Sequence, residues 1–190
     1  QRLRNVINKC LTEEQLLDGC RLLFELGWSR VKLYFMIGLP TETDEDVAAI
    51  AALSARVKAL AGPRREVTCN LSTLVPKPHT PFQWMAQITE AEIERKQRLL
   101  VPLLRKARVE FRSHDPFSSV LEGAISRGGR EVGRALERAY ALGCRLDAWP
   151  DRLQKELWRQ AMKEAGLNLE TLGGARDLDA PLAWDHISCD

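Results

Sequence analysis

The sequence predicts an α/β chain: parallel βα units over residues 1–88, then from residue 89 a long helix and a helical C-terminal extension. Three observations carry this reading. Residues 31–38 alternate Val31, Leu33, Phe35 and Ile37 with Lys32, Tyr34, Met36 and Gly38, the period of two of a pleated strand. Residues 66–75 repeat that alternation, and the helical pattern between the two has the length of a right-handed crossover joining parallel neighbours. Beyond residue 89 the apolar spacing is mostly helical, with one short strand pattern at 109–114.

The elements follow in order. Leu3, Val6 and Ile7 fall at helical spacing. Thr12 and Gln15 form a capping box for a helix whose stripe includes Leu16, Leu17, Cys20, Leu23 and Phe24, ending at Gly27. The strand at 31–38 is stopped by Gly38 and Pro40, since proline has no amide for a ladder. Thr43 with Asp46 then caps a helix that runs to Gly62-Pro63, and the acidic run Asp44, Glu45, Asp46 suits its N-terminus. The end of this strand is therefore expected to be a loop with free backbone donors, which is where ligands sit in parallel α/β folds.

Thr89 and Glu92 form another capping box, opening a helix with Ile93, Leu99, Leu100, Leu103, Leu104 and Ala107 on its buried stripe. Arg95, Lys96, Arg98, Arg105, Lys106 and Arg108 are expected on its solvated face. Ser119 and Glu122 predict the start of a helix that ends at Gly128-Gly129. Another begins with Val132, Leu136 and Tyr140 and closes at Gly143, and the last spans 151–165 with Leu153, Leu157, Trp158 and Met162 inward. The tail at 173–190 reads as loop pinned by Leu182 and Trp184, while Asp147-Ala148-Trp149-Pro150 and Trp184-Asp185-His186 read as packing and turn motifs.

Composition narrows the function. Twenty-eight basic and 26 acidic residues leave a net charge of +2, so nucleic-acid contact is possible but not indicated by net charge and would have to be local. No apolar run reaches the roughly 20 residues of a membrane span, and residues 1–9 have no signal-peptide core, so the expected location is cytoplasmic with no membrane contact. Cys10, Cys20, Cys69, Cys144 and Cys189 are too scattered for a disulfide framework or a metal site. His79, His114 and His186 likewise have no second ligand at metal spacing, and no metal-binding residue is assigned. The chain opens inside a helical pattern without a cap, which suggests a piece of a longer polypeptide.

The chemistry-bearing features lie on the second strand and just beyond it. Asn70 and Ser72 give this strand a polar face, where a strand in a fully packed barrel would be apolar on both sides, so the face is expected to meet water or a ligand. In residues 75–84, VPKPHTPFQW, three prolines predict a stiff extended path from which Lys77 and His79 project, anchored by Phe82 and Trp84. Such a segment at the end of a barrel strand can form the rim of an active site.

FMIGLPTET followed by LVPKPHTPFQW, with RLRNVINK and TEEQ ahead of them, resembles the latter half of a radical S-adenosylmethionine (SAM) enzyme of the branch holding tRNA methylthiotransferases and cobalamin-dependent methylases. SHDP, SRGGREVG, LDAWPD and LAWDHIS are more closely similar to an uncharacterised bacterial group that joins a cobalamin-binding-like domain to a radical SAM domain. The resemblance covers essentially the whole chain. It implies the C-terminal part of a partial TIM-like barrel. In that family a 4Fe-4S cluster on a CxxxCxxC loop reduces SAM to a 5′-deoxyadenosyl radical that abstracts hydrogen from the substrate.

That cysteine motif is absent here. The chain alone is not expected to hold a cofactor tightly or to cleave SAM; the complete protein would be the enzyme, with the upstream half of the same polypeptide as partner and an unassigned substrate. Cobalamin binding would depend on residues outside this chain. The resemblance implies that Arg2 makes a polar contact to SAM, that Met36 and Gly38 line the ligand end of the first strand, and that Asn70, Ser72 and Leu74 lie near the adenosyl group. Lys77, with His79, belongs to the substrate rim. Thr41 and Glu42 are expected to be structural. The alternative is a non-catalytic scaffold in which the basic helix at 92–108 docks RNA or a protein.

Overall fold

Strands β1 (Arg30–Ile37), β2 (Glu66–Thr73) and β3 (Glu110–Ser113) form one parallel sheet in the order β1-β2-β3. These are features of a computed structural model that describes residues 1–187. The register pairs Val31 with Val67, Tyr34 with Asn70, and Asn70 with Arg112. Short helix α1 (Arg2–Val6) and α2 (Glu13–Glu25) precede the sheet; α3 (Asp44–Ala61) connects β1 to β2 and α4 (Glu90–Lys106) lies between β2 and β3. The parallel pairing expected from the sequence is thus present.

The sheet has two unlike faces. Val31, Leu33, Ile37, Val67, Cys69 and Leu71 are buried on one of them. α3 packs against β1 and β2 on this side. Both crossovers advance across the sheet in the same direction, and right-handed crossovers of that kind lie on the same side. The opposite face carries Lys32, Tyr34 and Met36, then Thr68, Asn70 and Ser72, then Glu110 and Arg112. Tyr34 is 76% exposed there and Met36 38%.

The chain divides into two compact units: Gln1–Leu74 with Ile93–His114, and Val75–Glu92 with the described residues from Asp115 onward. The second unit holds α5 (Pro116–Arg127), α6 (Glu131–Leu142), α7 (Lys155–Glu164) and α8 (Leu169–Gly173). Its core gathers Phe117, Leu121, Ala135, Ala139, Trp158 and Met162. A second feature is Arg127, 1% exposed, whose guanidinium donates to the carbonyls of Gly173 at 3.0 Å, Gly174 at 2.9 Å and Gln83 at 3.2 Å. One side chain therefore ties the rim segment to the chain after α8.

Several boundaries differ from the sequence reading. α5 starts at Pro116, capped by the Asp115 side chain, which accepts from Ser118 N–H; proline suits this position because the first amide of a helix has no partner anyway. Ser119, expected as the cap, is buried inside the helix. α6 buries Val132, Ala135 and Ala139, leaving Leu136 42% and Tyr140 64% exposed, because small alanines bring its other face into the core. α7 begins at Lys155, after turns at 147–152, and α8 falls where no helix was expected. Trp149 is exposed in its turn, whereas Trp184 is buried and donates its indole N–H to Gln83 Oε1 at 2.7 Å. The segment after Pro76 is not extended throughout: it folds into turns, with Gln83 N–H on Thr80 O and Met85 N–H on Phe82 O.

Replacing Arg127 by Met keeps the length of the side chain but leaves the Gln83 and Gly174 carbonyls without their donor, while Gly173 O keeps only the Gln87 N–H. The expected loss is about 3 kcal/mol, seen as a lower midpoint in urea unfolding. A change within about 0.5 kcal/mol would show that the carbonyls find water instead.

Candidate functional site

β1 ends in a turn closed by its own sequence. Gly38 takes φ +83°, in the left-handed region that a glycine occupies without strain. Its N–H donates to Glu42, 3.0 Å from one carboxylate oxygen and 3.1 Å from the other. Glu42 is paired with Lys96 of α4 at 2.8 Å, with side-chain exposures of 3% and 5% for the two partners. The donor expected to be free at this strand end is thus satisfied inside the protein. Lys96, expected on the solvated face of α4, is buried instead, because the inward stripe runs Ile93, Lys96, Leu100, Leu104 and leaves Leu103 outside.

Thr41 follows with φ +64°, a strained conformation for a β-branched residue. Arg2 fixes it, donating to Thr41 Oγ1 at 2.7 Å and to Thr41 O at 2.9 Å, and also pairs with Asp46. The expected capping box at Thr43 is complete, with Thr43 N–H on Asp46 at 3.0 Å and Asp46 N–H on Thr43 Oγ1 at 3.3 Å. The Thr43 amide and then the Arg2 guanidinium hold the Asp46 carboxyl below its ordinary range. Arg95 does the same for Asp44, from 2.6 and 2.9 Å.

β2 provides the polar groups. The Ser72 hydroxyl donates to Phe35 O at 3.1 Å, which leaves its oxygen able to accept. Leu74 is buried and donates its N–H to Ile37 O at 2.8 Å, extending the ladder past the end of the strand. The buried side-chain amide nitrogen of Asn70 has no hydrogen-bond partner among the described residues. Thr68, lower on the same face, is satisfied by Glu110 at 2.9 Å.

The first unit thus brings together Met36, Gly38, Asn70, Ser72 and Leu74 on the ends of two adjacent strands, with Arg2 committed to the neighbouring turn. Lys77 and His79 belong to the second unit. There Lys77 pairs with Glu122, and exposed His79, at φ +57°, donates its N–H to Gln83 Oε1 at 3.0 Å. The Glu42–Lys96 pair was missed by the sequence reading, although Lys96 stands at helical spacing between Ile93 and Leu100, a visible signal that one cation of this helix faces inward.

Cysteine chemistry is muted. Cys20, Cys69 and Cys144 are buried and Cys10 is exposed, while Cys189 lies outside the described residues. Burial pushes the Cys69 thiol up to about 11, and burial also raises Cys20 and Cys144, so these sulfurs hold their protons at neutral pH. Among the described residues no group of three His, Cys, Asp or Glu side chains could hold a metal ion, and no helix is long and apolar enough to cross a membrane.

No family model matches the chain. No solved structure matches it. A curated relative is the uncharacterised protein MJ0966 of Methanocaldococcus jannaschii, 31% identical over 141 residues that make up 72% of this chain. The chain spans 30% of that relative's length.

Two outcomes are expected from these contacts. Lys96→Met leaves a carboxylate buried without its ion-pair partner and should cost about 3–5 kcal/mol in chemical unfolding, while the double variant with Glu42→Gln should recover part of that loss. Strictly additive losses would show that the two side chains do not act as a pair. The second concerns acid. Because the folded carboxyl of Asp46 titrates below its unfolded value, its stabilisation is present above the unfolded value and is lost as pH falls through the folded one. Arg2→Ala should raise the folded value, so that this loss begins at a higher pH; NMR titration of the Asp46 carboxyl reads it directly, and an unmoved curve excludes the contact.

Proposed function

We propose that this chain supplies the last βα units of a partial TIM-like barrel in a radical SAM enzyme, and that the polar face of β1 and β2 binds the adenosyl part of SAM. The observation that carries the reading is the orphaned Asn70 amide. A buried donor without a partner costs about 1–3 kcal/mol, a cost that a ligand acceptor would remove. Around it stand an accepting hydroxyl at Ser72 and apolar surface from Met36 and Leu74, a set suited to a ribose and a purine ring.

The sheet's outline supports the barrel. β1 runs eight residues without a proline or bulge and has no strand on its outer edge among the described residues, an exposed edge of the kind proteins normally cover. Leu22 of α2, Leu26 at its C-cap and Trp28 in the link into β1 are 55%, 69% and 60% exposed. A preceding βα unit of the same polypeptide would pair with that edge and bury those side chains. The relative's greater length is consistent with additional chain, and that relative is itself uncharacterised.

The described residues do not fit an iron–sulfur cluster, because their thiols are scattered and mostly buried. The cluster in this proposal is held elsewhere in the polypeptide, and SAM bound to it supplies the hydrogen-abstracting group. The residues of this chain bind and orient: Asn70 donates, Ser72 accepts, and the Glu42–Lys96 pair fixes the turn at Gly38 so that the strand ends keep their positions. Lys77 and His79 are the proposed substrate rim, and cobalamin would enter through a separate domain.

The scaffold alternative loses Lys96 to the core, while its other cations stay exposed. On the helix expected to dock RNA or protein, Arg95 pairs with Asp44, Lys96 with Glu42 and Arg98 with Glu94.

The complete polypeptide, reconstituted anaerobically with iron and sulfide, is expected to release 5′-deoxyadenosine from SAM on reduction, read by chromatography. Calorimetry then separates binding from chemistry. Asn70→Leu should weaken SAM two- to tenfold, the worth of one hydrogen bond of about 0.5–1.5 kcal/mol, while leaving the melting curve unchanged or shifted upward. A loaded cluster with no SAM cleavage would remove the enzyme reading. Equal SAM affinity in Asn70→Leu and Ser72→Ala would remove this face from the cofactor site.

A further inference from the structure

A separate depression of about 570 Å³ lies in the first unit at the opposite, N-terminal end of the strands. Gly38 and Arg30 are separated by the length of β1, about 25 Å at the rise of a strand. Six cations line the depression: Arg30, Lys58, Arg64, Arg65, Arg108 and Arg112. Only two carboxylates face them, Glu66 and Glu110. The whole chain carries a net charge of just +2, so the positive charge is concentrated here.

Structural needs account for part of this set. Lys58 donates to the carbonyls of Gly62 at 3.1 Å and Arg65 at 2.6 Å, closing the end of α3 as a cation does at a helix C-terminus. Arg65 lies over the ring of Phe24, 5.4 Å from its centre. Arg30 pairs with Glu66 at 2.6 Å and Arg112 with Glu110 at 2.8 Å, but all four side chains are about half exposed, where such pairs are worth little and readily exchange partners. Arg64 and Arg108 are exposed and make no side-chain hydrogen bond or ion pair among the described residues. Arg64 follows Gly62 and Arg108 follows the end of α4.

We propose that this depression binds the phosphodiester backbone of a nucleic acid. Five of its six cations are arginines, whose planar fork matches phosphate oxygens in pairs. The cavity is open and polar, which suits a chain passing across it, and the cations come from two strands (Arg30 of β1, Arg112 of β3), the last turn of α3 (Lys58) and the two helix-to-strand turns (Arg64, Arg65 and Arg108), so several successive phosphates can be met at once. Contacts of this kind fix position without reading sequence. The proposal is independent of SAM binding at the other end of the sheet.

The test uses the full-length protein and a fluorescein-labelled single-stranded RNA of mixed sequence, followed by anisotropy across a series of KCl concentrations. Binding should weaken steeply with salt. Arg64→Glu with Arg108→Glu should reduce affinity at least about tenfold and flatten the slope of log K against log salt by about 1.4, two phosphate contacts on a single strand. Arg134→Glu with Lys163→Glu, which changes net charge equally on exposed residues of the second unit, should leave that slope unchanged. Equal slopes in wild type and the Arg64/Arg108 variant, with both folded by circular dichroism, would overturn the proposal. Strong binding of pyrophosphate without RNA binding would also overturn it, assigning the depression to a small phosphate ligand.

Discussion

The buried pair between Glu42 and Lys96 is the contact on which the turn after β1 depends. The last strand residue before Gly38 hands the chain to a helix within six residues, and the amide at Gly38 leaves the ladder at that point. Glu42 brings both carboxylate oxygens to that amide from four residues ahead, and Lys96 neutralises the resulting buried charge from the next crossover helix. Buried ion pairs are weak sources of net stability, since desolvation offsets most of their attraction. Their effect is specificity: a wrong rotation of α4 would leave a carboxylate in the core with no cation, a penalty of several kcal/mol. Arg2 completes the turn from outside by holding Thr41 in a conformation that a threonine rarely adopts.

Much of the first unit was legible because its signals are local. Period-two alternation marks β1 and β2, and the capping boxes at Thr12 and Thr43 have both of their hydrogen bonds in place. Signals were lost where two patterns compete for one residue. Lys96 looks like part of a basic surface when charge is counted, and like part of the core when spacing is counted; spacing won because Glu42, distant in sequence, meets it. At α6, leucine and tyrosine outrank alanine in apolarity, yet the alanines face inward where close packing matters more. α8 is five residues long and capped by Asn168, too short to establish a periodic stripe.

The candidate site was legible to a different degree. Alternation alone placed Asn70 and Ser72 on one face, and the register confirms that they share it with Tyr34 and Met36. What alternation could not supply was which polar atoms remain available. Ser72 spends its proton on Phe35 O, Gly38 spends its amide on Glu42, and Arg2 spends its guanidinium on Thr41 and Asp46. Those partners lie between four and 44 residues away in the chain, so only the folded arrangement distinguishes them.

This sorting bears on how a parallel sheet divides its labour. Satisfied groups hold the strand ends rigid, and the unsatisfied ones can respond to a ligand. At the C-terminal end the free capacity is a single amide donor and a hydroxyl oxygen, suited to uncharged polar groups such as sugar hydroxyls. At the N-terminal end it is charge, with two uncommitted guanidiniums among partners that exchange easily in water. A neutral orphan inside the protein gives short-range, geometry-dependent recognition that salt hardly affects, whereas exposed cations act over a Debye length of about 8–10 Å and weaken as ions are added. On the two proposals made above, the ends of one small sheet would take ligands of different kinds, and salt would separate their contributions without any mutation.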